Sequence, residues 1–424
     1  MHDSGEVNEQ GDCHPGTRVS VQQVILRWAD NPHPGFFVNW LFGAAGAGKS
    51  AIMRTVAKVL EEQGKLLGTF FCIRSSRRRS DGYLIIPTIV EQIIRRIPSL
   101  GPSVQQAFDV DPGLLAKTMS TQAMRLIVEP LNSIDPIERA HLPSVILLDG
   151  IDEINGFTSQ ERIIETLAAI NDHLDTPLHF LIASRPEPLI RAAFDKFMPH
   201  LWSPIALGEL FKPDEDIDVF YIDHFRMIRD EGRHYNLAPD WPGFPIRRQL
   251  VVKGSGQFIF ASTVVGVVGD PSSPLTPQER LDLVLNITRR DDLRPLERLD
   301  LLYVTVLRQI PEAARAEVLS ILALILMPDI YFKTPESIDA VFCYTHGTSR
   351  QRMCQLHSVL KIPTKDTDEF SSLHATLGDF VFDKTRSGQF GFHVDKEELR
   401  RDLLIRIVTA VFSFPERMCG AHCP

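Results

Sequence analysis

Short apolar runs of strand length alternate with amphipathic helical segments through the first half of the chain. The apolar runs predict buried strands at residues 38–42, 66–72, 145–148, 180–183 and 204–207. Between the first two runs, Ile52, Val56 and Leu60 share one helical face, and Gly64 is placed to end that helix. This alternation predicts an α/β fold, with a parallel sheet sandwiched between helices.

The pattern changes after Pro213. A long charged helix is predicted from Asp214 to Tyr235, and further helical patterns follow with little strand signal. The first sixteen residues are polar and contain glycine, so we expect them to be disordered. No period of 20–50 residues is visible, which argues against a repeat array within this chain.

A phosphate-binding loop follows the first predicted strand. In the run Gly43-Ala44-Ala45-Gly46-Ala47-Gly48-Lys49-Ser50-Ala51, a glycine, four residues and Gly-Lys-Ser stand between a strand and a helix. Such a loop turns backbone N–H groups toward a polyphosphate at the positive end of a helix. Lys49 is expected to reach the β- and γ-phosphates, and Ser50 to bind Mg²⁺. The sequence therefore predicts a site for ATP or ADP with Mg²⁺.

Acidic residues follow the third predicted strand, and an arginine follows the fourth. Asp149 ends the third strand and is predicted to serve Mg²⁺, while Asp152 or Glu153 is predicted to polarise the attacking water. Arg185 is predicted to detect the γ-phosphate, because ligands bind at the carboxyl ends of parallel strands.

Composition limits the function classes. The chain has 424 residues and a formal net charge of −9, so no overall basic field favours nucleic acid or an anionic membrane. The amino-terminal residues contain no apolar signal-peptide core, and the apolar runs are too short to span a bilayer. Six scattered cysteines are expected to stay reduced, so we expect a cytoplasmic protein without nucleic-acid or membrane partners.

These motifs together resemble a known family. The runs "GAAGAGKS", "ILLDGIDE" and "LIASRPEP", preceded by "HPGTRVSVQQVILRW", resemble the NACHT domain of fungal STAND-class P-loop NTPases. These are relatives of NOD-like receptors, with a nephrocystin-3-like N-terminal NTPase region. Later segments resemble the helical and winged-helix domains that follow this core. The resemblance implies a disordered segment at 1–16, an NTPase core at 17–212, a helical domain at 213–295, a winged-helix-like domain at 296–400 and a C-terminal segment at 401–424.

The resemblance implies a signalling switch. In that family ADP holds a closed monomer, and exchange for ATP releases an oligomerising form, so slow ATP hydrolysis and a homo-oligomer in the ATP state are expected. A role in fungal innate immunity, as self/non-self recognition or programmed cell death, is implied as well. His374, in the run "LHATLGDF", partly matches a winged-helix histidine that contacts the β-phosphate of ADP.

The sequence departs from the family at several points. Ile154 stands where relatives commonly have cysteine, and Gly254-Ser255-Gly256 stands where many have Gly-x-Pro beneath the adenine. Relatives also carry an effector domain and C-terminal repeats, so effector or sensor proteins are expected as partners. A fragment, a truncated product and a partner-dependent form all stay open.

Two other function classes remain. One is a non-signalling P-loop ATPase, which the absence of a substrate-pocket signature after residue 210 disfavours. The other is a nucleotide-binding scaffold that does not hydrolyse ATP, which the complete set of phosphate-side residues disfavours. A GTPase is disfavoured because no guanine-recognition motif occurs.

Overall fold

The computed structural model divides the chain into two compact units, Met1–Asp216 and Ile217–Pro424. It describes residues 11–31, 35–74, 76, 78–139, 141–154, 157–175, 178–208, 211–271, 273–287 and 295–418.

A five-stranded parallel sheet forms the centre of the first unit. Its strands are β1 (Val38–Phe42), β2 (Leu66–Phe71), β3 (Val145–Asp149), β4 (His179–Ser184) and β5 (Trp202–Ala206). The spatial order is β2-β3-β4-β1-β5, so β4 lies between the strand that precedes the glycine-rich loop and the strand that ends in Asp149. The α/β fold with a parallel sheet is therefore confirmed, and each predicted strand is present within two residues of its expected bounds.

Helices cover the sheet in the first unit. They are α1 (Val19–Ala29), α2 (Lys49–Glu62), α3 (Ile85–Arg96), α4 (Gly101–Val110), α5 (Met119–Ala123), α6 (Glu129–Asn132), α7 (Pro136–Arg139), α8 (Phe157–His173) and α9 (Pro188–Phe197). A single π-helical turn, Met124–Val128, joins α5 to α6.

Alternate side chains of the strands enter two separate cores. Ile146 and Leu148 of β3 pack in one cluster, whereas Val145 and Leu147 pack in the other. Strand side chains point alternately to the two faces of a sheet, so a strand covered on both faces is apolar throughout. This is why β3 reads as a continuous apolar run up to Asp149.

Residues 11–13 contact α2, although they belong to the segment expected to be disordered. The N–H of Cys13 donates to Thr55 Oγ1 at 3.0 Å, and Arg54 Nε donates to the Gly11 carbonyl at 2.7 Å. Residues 1–10 of that segment lie outside the described residues.

The second unit is mainly helical around its own apolar core. The helix α10 (Pro213–Glu231) leads into it. It is followed by α11 (Phe244–Gly254), α12 (Phe258–Val268), α13 (Pro277–Ile287), α14 (Pro295–Arg308), α15 (Glu312–Leu326), α16 (Pro335–Val341), α17 (Thr348–Met353), α18 (Ala375–Val381), α19 (Lys384–Ser387) and α20 (Lys396–Met418). The two-residue strands β6 (Leu360–Lys361) and β7 (Ser371–Ser372) pair antiparallel. Within the described residues, no helix has the length and apolar character needed to cross a membrane.

Candidate nucleotide site

The glycine-rich loop between β1 and α2 adopts a conformation that requires its glycines. Gly46 and Gly48 have φ angles of 76° and 89°, a left-handed region that residues with a Cβ rarely adopt. Gly43 is required for a different reason, because a Cβ there would lie 3.0 Å from the Cβ of Leu207. The loop then leads directly into α2, a helix of 14 residues whose N-terminus faces the loop.

Lys49 lies over the loop at the start of α2. Its ammonium group donates to the carbonyl oxygens of Gly43 at 2.8 Å and Ala44 at 3.0 Å. Burial lowers the pKa of Lys49, and Asp152 and Asp149 partly offset that effect. The lysine of the loop and the two acids therefore lie within electrostatic range of one another.

Asp149 is buried at the end of β3 beside the helix that begins at Lys49. Its carboxylate accepts a hydrogen bond from Ser50, while burial raises its pKa to about 6. Its Oδ1 atom is buried, and none of the residues that the structure describes forms a hydrogen bond with it. A buried carboxylate oxygen with an open coordination position, next to a serine hydroxyl, suits Mg²⁺, which prefers oxygen ligands. Ser50 and Asp149 therefore fit the magnesium site expected from the sequence.

Asp152 and Arg185 form an ion pair at the ends of β3 and β4. The backbone N–H of Arg185 donates to Asp152 Oδ1 at 3.1 Å, and Arg185 Nε lies 3.3 Å from Asp152 Oδ2. Asp152 is almost fully buried, with 6% of its side chain exposed. Both oxygens of Asp152 therefore face Arg185, one its backbone N–H and the other its guanidinium.

Glu153 lies in a different environment from its neighbour Asp152. Its Oε2 atom accepts a hydrogen bond from the backbone N–H of Arg74 at 2.9 Å. Burial raises the pKa of Glu153 to about 7, and the nearby Asp152 and Asp149 act in the same direction. A carboxylate with a pKa near 7 is suited to accept a proton at neutral pH.

His374 belongs to the second unit and precedes α18. Its Nε2 lies 3.1 Å from Ser262 Oγ, and burial lowers the pKa of His374 to about 4. The imidazole is therefore neutral at pH 7. Its predicted contact with ADP stays a prediction.

Two buried arginines lie near the loop, and the sequence patterns did not predict a role for either. Arg18, one residue before α1, donates from Nη2 to the carbonyl of Ala47 at 2.8 Å. Arg54, on α2, lies in the electrostatic field of Asp149. A signal for Arg54 was present, since it interrupts the buried face formed by Met53, Val56 and other apolar residues of its helix. Arg18 lies within the run "HPGTRVSVQQVILRW" that carries the family resemblance, but nothing in that run indicated its contact with the loop.

Comparison with known proteins supports the nucleotide-binding part of this site. A family model described as "Nephrocystin 3, N-terminal" matches residues 16–185. The match covers less than half of the chain, but it includes the loop, the acids after β3 and Arg185. The chain is thus similar to a P-loop NTPase region over these residues, whereas His374 lies outside the match. No curated protein sequence matches the chain.

Solved structures with some likeness include two ORC proteins and one domain of the replication initiation protein DnaA. Drosophila ORC bound to DNA has a TM-score of 0.40 at 10% identity, covering 90% of this chain and 96% of that chain. The Aeropyrum pernix ORC2 protein in its ADP form has a TM-score of 0.37 at 12% identity, covering 93% and 96%. Domain III of Thermotoga maritima DnaA has a TM-score of 0.34 at 11% identity, covering 66% and 96%. We base no functional argument on likeness at this level.

Proposed function

We propose that this protein is an ATP-dependent switch that binds ATP or ADP with Mg²⁺, hydrolyses ATP slowly and changes its assembly with the bound nucleotide. One observation carries the nucleotide part of the proposal. The ammonium of Lys49 shares a single electrostatic environment with Asp149, Asp152, Glu153 and Arg185. These groups come from α2, from the ends of β3 and β4, and from the turn after β3.

The residues divide into binding and chemical roles. The backbone of residues 43–51 would surround the phosphates, and Lys49 would exchange its loop carbonyls for phosphate oxygens. Ser50 and Asp149 would hold Mg²⁺, which supplies charge stabilisation for the transferred phosphoryl group when it is bound. This division assigns the phosphate contacts to the loop and the chemistry to the strand ends.

Glu153 is our candidate for the general base. Both oxygens of Asp152 are engaged by Arg185, one by its guanidinium and the other by its backbone N–H. Glu153 has one oxygen held by a backbone N–H and a pKa of about 7. We therefore assign proton acceptance to Glu153 and the positioning of Arg185 to Asp152. Arg185 would contact the γ-phosphate and so distinguish ATP from ADP.

The switch function is favoured by the resemblance to STAND-class NTPases. In the proposal, His374 would contact ADP in a closed monomer, and ATP would favour a homo-oligomer that engages effector or sensor proteins. A neutral imidazole has one N–H, so its hydrogen bond to phosphate would be worth about 1.5–3 kcal/mol. Shifting a two-state equilibrium from 1:99 to 99:1 takes roughly 5.5 kcal/mol. His374 would thus supply part of the bias between states.

The test is to identify the nucleotide that the purified protein carries and to measure its solution mass in ADP and in ATP. The expected result is bound ADP with a monomer mass, and a larger mass after exchange for ATP with slow phosphate release. Phosphate release without a change in mass would favour the non-signalling ATPase. Bound nucleotide without phosphate release would favour the scaffold. Absence of nucleotide binding would overturn the proposal.

A further inference from the structure

Arg18 combines a buried charge with an uncommon backbone conformation. Its side chain is only 3% exposed. Its φ and ψ angles are 56° and 20°, in the left-handed region. Residues other than glycine seldom adopt this conformation, because it brings the Cβ close to the following carbonyl oxygen. A buried cation in a strained conformation is retained only where neighbouring groups hold it in place.

The guanidinium of Arg18 contacts the phosphate loop on one side and an acid on the other. Nη2 donates to the Ala47 carbonyl at 2.8 Å, and Nε lies 4.0 Å from Asp216 Oδ2. The carboxylate of Asp216 also interacts with the backbone N–H of Arg18. Asp216 therefore lies beside both the backbone N–H and the guanidinium of Arg18.

The contact with Ala47 determines how the following peptide group points. In a trans peptide, the carbonyl of one residue and the N–H of the next point in opposite directions. Holding the Ala47 carbonyl on Arg18 therefore turns the N–H of Gly48 away from Arg18. Gly48 has a φ of 89° and lies between the loop and the first turn of α2, where phosphate-binding N–H groups are needed.

We propose that Arg18 is a positioning residue that holds the Ala47–Gly48 peptide of the loop in its phosphate-binding orientation, with Asp216 holding Arg18 in place. This inference rests on the proposed function, because it concerns phosphate binding at the same site. It adds a residue from outside the loop motif. Arg18 acts through the loop backbone and does not contact the nucleotide.

The experiment measures the affinities of Mg·ATP, ADP and inorganic tripolyphosphate by calorimetry for wild type, Arg18→Gln and Arg18→Lys. Losing a hydrogen bond from a charged donor is expected to weaken all three ligands by about 10- to 100-fold. Arg18→Lys keeps the charge but loses the planar fork, so it is expected to lie between wild type and Arg18→Gln. Asp216→Asn is expected to give a smaller loss, and the double variant Arg18→Gln/Asp216→Asn to bind like Arg18→Gln alone.

The matched control is Arg27→Gln. Arg27 lies on α1, is exposed, and donates to the carbonyl of Gln23 in its own helix. It should leave all three affinities unchanged. Thermal unfolding of each variant shows whether it folds; if Arg18→Gln does not fold, Arg18→Lys and Asp216→Asn decide the question.

Two results would overturn the inference. Folded Arg18 variants with wild-type affinities would show that the contact with Ala47 has no part in binding. Weaker ATP and ADP binding with unchanged tripolyphosphate binding would place Arg18 at the nucleoside instead. If wild type binds none of the three ligands, the proposed function fails first, and that outcome is distinct from both.

Discussion

One buried carboxylate in each unit illustrates the contrast between binding and packing: Asp149 in the first unit and Asp300 in the second. Burial raises the pKa of Asp149 to about 6, and one of its oxygens has no hydrogen-bond partner among the described residues. In the second unit, Arg386 meets Asp300 through two hydrogen bonds of 3.0 and 2.6 Å, and Tyr303 meets Thr376 at 2.8 Å. These polar groups of the second unit satisfy one another within its core.

The difference separates binding from packing. Burying a charge costs free energy that a structural pair recovers through its partner. A buried charge without a partner destabilises the folded protein unless a ligand pairs with it. Such groups concentrate at functional sites. We therefore expect Asp149 to interact with a bound ligand, and the Asp300–Arg386 pair to hold helices of the second unit together.

Among the substitutions proposed here, Lys49→Ala is expected to have the largest effect, and that effect is on Mg·ATP affinity. It removes the cation of the loop, so Mg·ATP affinity should fall at least about 100-fold, since charged hydrogen bonds contribute roughly 1.5–3 kcal/mol each. Calorimetry measures the loss. Lys58→Ala on the same helix is the control, because Lys58 is exposed and pairs with Asp12. Wild-type affinity in Lys49→Ala would refute the site.

Glu153→Gln is expected to leave ATP bound and to slow hydrolysis by about 10²–10⁴-fold, the usual contribution of general base catalysis. Because burial raises the pKa of Glu153 to about 7, wild-type phosphate release should fall as pH drops below about 7 and the carboxylate takes up a proton. Glu153→Gln should lose this pH dependence.

Asp149→Ala, in contrast, should weaken Mg²⁺-dependent ATP binding.

Asp152→Asn tests whether Asp152 or Glu153 is the general base. It keeps the shape of the side chain but weakens the ion pair with Arg185, so hydrolysis should persist while the preference for ATP over ADP changes. If Asp152→Asn abolishes hydrolysis and Glu153→Gln does not, the base is Asp152. If neither variant changes phosphate release, the protein is a switch with negligible hydrolysis.

Asp300→Asn tests the packing role assigned to the second unit. It leaves the Arg386 guanidinium partly unpaired, and we expect the free energy of unfolding to fall by about 2–3 kcal/mol with ATP affinity unchanged. Asp329→Asn is the matched control, since Asp329 pairs with Arg400 at the surface. That control should cost less than about 1 kcal/mol. A loss of ATP affinity in Asp300→Asn would break the distinction between the units.

His374→Ala is expected to give the smallest and most selective change. If the proposed ADP contact exists, ADP affinity should fall about 10-fold more than ATP affinity, by the loss of one hydrogen bond to a charged group. ADP release and solution mass are the measurements. Ser262→Ala removes the partner that His374 has in the described structure and serves as the control. Equal losses for both nucleotides would leave His374 as a packing residue.

Much of the first unit was predictable because its signals are local. Strands covered on both faces read as apolar runs, and the loop needs glycines at fixed positions followed by lysine and serine. These features placed β1 to β5 and the loop, and they identified Asp149 as the acid at the end of β3. The order of strands in space was not predictable, because hydrogen-bonded pairing between strands distant in sequence leaves no mark on either strand alone.

The sequence by itself determined the parallel α/β sheet and the residue types that meet at its edge. Only the tertiary structure decided which of those residues are paired. Asp152 and Glu153 are adjacent and chemically alike, yet one meets Arg185 and the other meets a backbone N–H, so burial and partners separate their roles. The role proposed for Arg18 likewise could not be inferred from its local sequence, since its contact with Ala47 spans 29 residues and exists only once α1 packs beside the loop. Local patterns fix local structure, whereas pKa values and ion pairs depend on neighbours that folding brings together.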